Sequence, residues 1–267
     1  MLTELVYENE NDIAVLTLNN PKKLNALSSE FVMEIYKRIS SIKKDTKVLV
    51  IKSGFAKAFA AGVNVQEIHD NSYESAYLNS FIDQTWEAVA NVKIPVIAAI
   101  SGYALGGGFE LALMCDIIIA SKSAVFGFPE VNLGIMPGMG GTQFLTRAVG
   151  TKVASEILMT GRFVKADEAL QLGLINYLVE DDNEIMEKTM GIAKEMANKS
   201  VMSTRMIKEA IRMSQDVGIT QGIKSERQMF RSLFSTSFKQ KGTEEFLNKK
   251  NKLSAMFCNR IIICVVY

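Results

Sequence analysis

The chain has 267 residues, a length that one large α/β unit, or one such unit with a small C-terminal piece, can fill. With 48% hydrophobic residues, 22% charged residues and only four prolines, it is neither disordered nor collagen-like nor proline-rich. Thirty Lys and Arg against 29 Asp and Glu leave a net charge of +1, which excludes the strong overall pull of a general nucleic-acid binder. In chain order, apolar runs rich in β-branched residues at 13–18, 48–51, 96–100 and 117–120 predict buried strands, because each is apolar on both faces. Between them, helical spacing predicts helices over 28–42, 73–92 and 107–115, the first capped by Ser28 or Ser29. Beyond Gly150 the strands mostly stop, and 152–160, 165–170, 184–198, 203–214 and 219–234 read as helices. The alternation predicts an α/β fold with a helical last third, divided as residues 1–195 and 196–267.

Three cysteines, Cys115, Cys258 and Cys264, are widely spaced and form no CxxC pair, which fits a reduced cellular compartment and no zinc site. The start of the chain has no basic segment followed by an apolar one, so a cytoplasmic location is expected. The longest strongly apolar runs fall far short of the roughly 18 to 20 residues that span a bilayer, so no membrane association is expected. With a single histidine, His69, chemistry built on His triads or HExxH zinc sites drops out. No GxSxG elbow, GxxxxGK[ST] loop or complete GxGxxG is present. Acid-base work therefore falls to carboxylates, Lys or Tyr.

Glycine clusters in otherwise apolar segments at AFAAG (58–62), GYALGGGFELALMCD (102–116) and FPEVNLGIMPGMGG (128–141). In the second, Gly106, Gly107 and Gly108 follow a predicted strand and open a predicted helix, so unpaired amides of its first turn can hold an oxyanion. The same glycines would equally let the helix pack tightly on the sheet. Glu110 and Glu130 are carboxylates in apolar company; partly desolvated, one can give a proton while the other polarises water. As isolated residues, each reads more readily as a cap or a surface acid, and spacing does not show that they meet. The methionines from Met186 to Met213 have the spacing of core or interface fillers, and the lysines from Lys239 to Lys252 that of a solvated face.

These three segments in this order, with PKKLNAL at 21–27, resemble the crotonase (enoyl-CoA hydratase/isomerase) superfamily over most of the chain, about Leu5 to Lys250. The resemblance implies a spiral of repeated ββα units and a C-terminal helical trimerisation region, commonly assembled as a trimer or a hexamer made of two trimers. It implies an acyl-CoA thioester as substrate, with coenzyme A belonging to the substrate and no separate cofactor. By motif, Val63 and Gly107 supply the oxyanion-hole amides, and Glu110 and Glu130 are the catalytic pair of an enoyl-CoA hydratase, a lyase of fatty acid metabolism. The resemblance places substrate and CoA contacts at Lys22, Lys23, Leu24, Ala61, Asn64, Val65, Gln66, Gly106 and Pro129, and the acyl pocket beside 73–92. Relatives commonly carry Ala-Asp where this chain has Val63-Asn64, and its apolar end, 261–267, departs from the family's basic, polar finish. A Δ3,Δ2-enoyl-CoA isomerase is the near alternative, and an RNA-associated binding module the distant one.

Overall fold

In the computed structural model the described residues are 2–8, 12–78 and 89–248. The chain forms two compact units, Met1–Val201 and Met202–Tyr267. The first unit runs beyond Glu195 because its last helix continues to Ala197, which is buried.

The first unit repeats one motif: a strand for a large sheet, a strand for a small sheet, then a helix. β3 (Val48–Ser53), β4 (Ala58–Ala60) and helices α2 (Val65–Asp70) and α3 (Tyr73–Leu78) make one repeat. β5 (Val96–Ile100), β6 (Tyr103–Leu105) and α4 (Gly107–Leu113) make the next. β7 (Ile117–Ser121), β8 (Val125–Gly127), a 3-10 turn at Pro129–Leu133 and α5 (Gly141–Thr160) make the third. They follow β1 (Thr3–Glu8), β2 (Ile13–Leu18) and α1 (Ser29–Ser40), and precede β9 (Phe163–Lys165), α6 (Ala166–Gln171) and β10 (Tyr177–Val179). The large sheet has the order β1-β2-β3-β5-β7-β10 and the small one β4-β6-β8-β9. This is the ββα spiral that the family motifs imply.

The four runs expected as buried strands are β2, β3, β5 and β7, the parallel centre of the large sheet. Their two-sided apolarity has a plain cause. One face meets the core that also takes in Phe31, Phe59, Phe109 and Phe126. The other, with Ile13, Val50, Ile97 and Ile119, is covered by α7 (Ile185–Ala197), whose residues Ile185, Thr189, Ala193 and Ala197 recur every fourth position on one buried stripe. The small-sheet strands escape sequence reading because three residues are too few to show a period.

Ser28 caps α1, its hydroxyl accepting from the Phe31 amide. The helix expected over 73–92 is observed as α3 up to Leu78; residues 79–88 lie outside those described. The second unit is helical over its described residues, with α8 (Val201–Met213) leading into it, α9 (Ile219–Ser232) and a helical stretch at 237–248. The apolar run 261–267 lies outside the described residues.

Candidate active site

The site is built around α4, which is buried from Gly107 to Ala112. Its entry requires glycine twice. Gly106 has φ +49°, and a Cβ there would stand 2.6 Å from Glu130 Oε1. A Cβ on Gly108 would stand 2.0 Å from the Ala60 carbonyl oxygen, so the first turn lies directly against β4.

Glu110, in the first turn of this helix, is only 1% exposed. Its Oε1 accepts two amide hydrogen bonds, from Met139 and Gly141, each 2.8 Å long. Gly141 is the first residue of α5, so the carboxylate sits at a helix N-terminus, where a negative charge is favoured. Oε2 is buried with no partner among the described residues. Burial pushes the carboxyl's pKa above the ordinary range, and the Gly141 and Met139 amides oppose that rise.

Glu130 follows β8 on the 3-10 turn and is half-buried. Its pKa is pushed up to about 7, chiefly by burial and further by the charge of Glu110, while its own backbone amide opposes the shift. Its Oε2 is also buried and unpaired among the described residues. The two acids therefore share one electrostatic environment, each with a free oxygen. Both line a cavity of about 200 Å³.

The two amides named from the motif lie beside it. Leu27 and Val63 form an isolated parallel bridge in which the Gly62 carbonyl accepts from the Leu27 amide and the Asn64 amide donates to the Leu27 carbonyl. A parallel bridge of this kind leaves the N–H of Val63 itself unused. Gly107 is the first residue of α4, so its N–H has no acceptor within the helix. A Cβ on Gly107 would stand 3.0 Å from Val63 Cγ2, which puts the two residues side by side.

Of the other expected contacts, Ala61 and Val65 from the β4–α2 segment, Gly106, and Pro129 line the cavity. Leu24 is tied to it indirectly, its carbonyl accepting from the Ala61 amide at 3.0 Å. Lys22 and Lys23 are exposed on the 3-10 turn Pro21–Lys23, and they do not line the cavity. Asn64 and Gln66 do not line it either. The Asn64 side chain caps α2 by accepting from the Gln66 amide and donates to Glu67 Oε1, while Gln66 Nε2 donates to Asp70. Asn64 thus keeps the capping function at a position where the family commonly has Asp. Tyr73 and Tyr77 of α3 are exposed and stacked on each other, away from the cavity lining. His69 closes the exposed end of α2 and takes no part in the lining. The Met139 and Gly141 amides, and the side chains of Ile68, Ile135, Met136 and Met139, were not singled out as site residues. All but Ile68 lie in or beside the glycine-rich 128–141 segment, whose composition was their one signal.

The amides of Gly107 at a glycine-opened turn and of Val63 beside it, next to two desolvated carboxylates on a two-sheet ββα spiral, define a crotonase-type fold and site. The chain belongs to the enoyl-CoA hydratase/isomerase family, whose description matches residues 8–254. A protein of Rhizobium meliloti (strain 1021) named "Probable enoyl-CoA hydratase" is 41% identical over 247 residues, 92% of this chain and 95% of that relative. The short-chain-enoyl-CoA hydratase of Clostridium acetobutylicum is 38% identical over 252 residues, 93% of this chain and 96% of its own. The solved structure of enoyl-CoA hydratase subunit I from Geobacillus kaustophilus HTA426 matches with a TM-score of 0.88 at 40% identity, over 93% of this chain and 96% of that one.

Proposed function

We propose that this chain is an enoyl-CoA hydratase, adding water syn across a trans-2-enoyl-CoA to give a 3-hydroxyacyl-CoA. The observation that carries the reading is the pair of unpaired carboxylate oxygens, one from Glu110 and one from Glu130, on a single cavity beside the amides of Val63 and Gly107. The thioester oxygen accepts from those two amides. Fixed dipoles there stabilise the developing enolate without having to reorganise. Glu110, whose Oε1 is anchored by two amides at a helix end, orients a water and takes its proton as the oxygen bonds to C3. Glu130, with a pKa of about 7, retains a proton in a large share of molecules at neutral pH and delivers it to C2. Proton exchange with solvent then resets the pair. An isomerase needs one carboxylate to carry a proton between carbons; two acids facing one cavity favour hydration.

Coenzyme A enters as part of the substrate, and the proposed chemistry uses no other cofactor. Its polar portion runs along Lys22, Lys23 and Leu24 and the 61–66 stretch, a path supported by the hydrogen bond between Leu24 and Ala61. Self-association as a trimer or hexamer is supported by large apolar side chains exposed on the second unit, among them Ile207, Ile211, Phe230 and Phe234. Among the described residues no helix is long and apolar enough to cross a membrane; a cytoplasmic location completes the proposal. Loss of enoyl absorbance with crotonyl-CoA tests the activity directly. A protein inert toward crotonyl-CoA and longer 2-enoyl-CoAs, but active on a 3-enoyl-CoA, would replace the hydratase reading with the isomerase one.

A further inference from the structure

We propose that the Met139 side chain is the stop that sets acyl length in this cavity and makes the enzyme one for short 2-enoyl groups; this rests on the hydratase reading above. Met139 has two separate attachments. Its backbone amide holds Glu110 Oε1, while its side chain reaches the bare face of Gly107. There its methyl carbon lies 2.4 Å from where a Cβ on Gly107 would be, with Val63 Cγ2 at 3.0 Å and Leu27 Cδ1 at 3.5 Å from the same point. Three apolar side chains thus close the space next to the two oxyanion amides, and Met139 is the one among them that both lines the cavity and contacts the base through its backbone.

Part of the remaining apolar lining is of a different kind. Leu133 is 54%, Val65 55% and Met136 67% exposed, against 7% for Met139. Exposed side chains on a turn and a short helix can yield to an incoming chain; a buried one beside a fixed amide has less room to move. The cavity, at about 200 Å³ among the described residues, is also below the roughly 300–1,000 Å³ of sites that enclose a drug-sized molecule, which suits a short acyl group. Methionine is unbranched and adaptable, so the stop is soft: longer chains are slowed, not barred.

Because the role lies in the side chain and the amide remains in every variant but proline, size can be changed without removing the donor to Glu110. The experiment measures kcat/KM for crotonyl-CoA and trans-2-octenoyl-CoA in wild type and in Met139→Ala, Met139→Val and Met139→Leu, with far-UV circular dichroism on each. The octenoyl-to-crotonyl ratio is expected to rise about tenfold in Met139→Ala, less in Met139→Val, and to stay near wild type in the similarly sized Met139→Leu. A ratio unmoved in both folded smaller variants, or in Met139→Val if Met139→Ala fails to fold, overturns the length stop and leaves the hydratase reading standing. A ratio raised equally in Met139→Leu overturns the size argument. Wild-type protein that hydrates neither substrate overturns the hydratase reading itself, and the inference with it.

Discussion

The two carboxylates of the site are held in opposite ways. Glu110 is carried by a helix buried along most of its length and is clamped through one oxygen by amides from a segment 29 and 31 residues further on. Glu130 stands half-buried on a 3-10 turn, with no amide from another segment holding it among the described residues. On the proposed mechanism, the same residue type is thereby divided into a fixed acceptor and a proton carrier. Desolvation raises both pKa values, but only Glu110 has two external donors pulling its charge back into favour.

The hardest blow to this division is to remove the fixed acceptor's charge. Glu110→Gln keeps an oxygen for the Met139 and Gly141 amides but loses the base; turnover of crotonyl-CoA is expected to fall about a thousandfold with KM little changed. A loss under tenfold in steady-state assays would show that Glu110 merely braces α5.

Glu130→Gln is expected to lower turnover about a hundredfold. It also separates the roles by pH. In wild type, kcat/KM should decline as pH rises above about 7, where Glu130 gives up its proton, and decline again toward acid as Glu110 becomes protonated. The alkaline limb should be absent in Glu130→Gln. The substitution's effect on stability has the opposite sign to its effect on activity. A carboxyl with a raised folded pKa binds its proton more tightly than in the unfolded chain, so stability is lost as pH climbs from the ordinary carboxylate value through about 7. Relative to wild type, the Tm of Glu130→Gln should therefore be higher at pH 8 than at pH 5, by a few degrees in thermal melts.

A smaller effect is expected from Gly106→Ala, which strains a φ of +49° and pushes a methyl toward Glu130 Oε1, 2.6 Å away. The carboxylate can turn aside, so activity should drop about tenfold and the alkaline limb should move, leaving the acid limb in place. The smallest is at the edge of the site: Lys22→Ala with Lys23→Ala should raise KM for crotonyl-CoA about threefold at low salt, a difference that fades near 0.5 M NaCl because exposed charges are screened. No change in KM at any salt would remove the two lysines from the CoA path.

Much of this could be read from the chain before the fold was known, and unevenly. The central strands were legible since each is five or six residues long and apolar on both faces. Strands β4, β6 and β8 were not, because they are three residues long and take their place from neighbours across the small sheet. Val63 was named through its motif, and nothing local shows that its amide is left out of the bridge. That follows from Leu27, far back in the chain, bonding to the residues on either side of it.

By itself the sequence determined the residue types available for chemistry, the glycines that permit a helix to open against a strand, and the family pattern that links Glu110 with Glu130. Tertiary structure alone decided that Glu110 meets the amides of Met139 and Gly141, that Glu130 loses its solvent, and that both acids face one cavity. The physical reason is that composition and backbone preference act between neighbours in the chain, whereas desolvation and charge depend on whatever atoms surround a group in space.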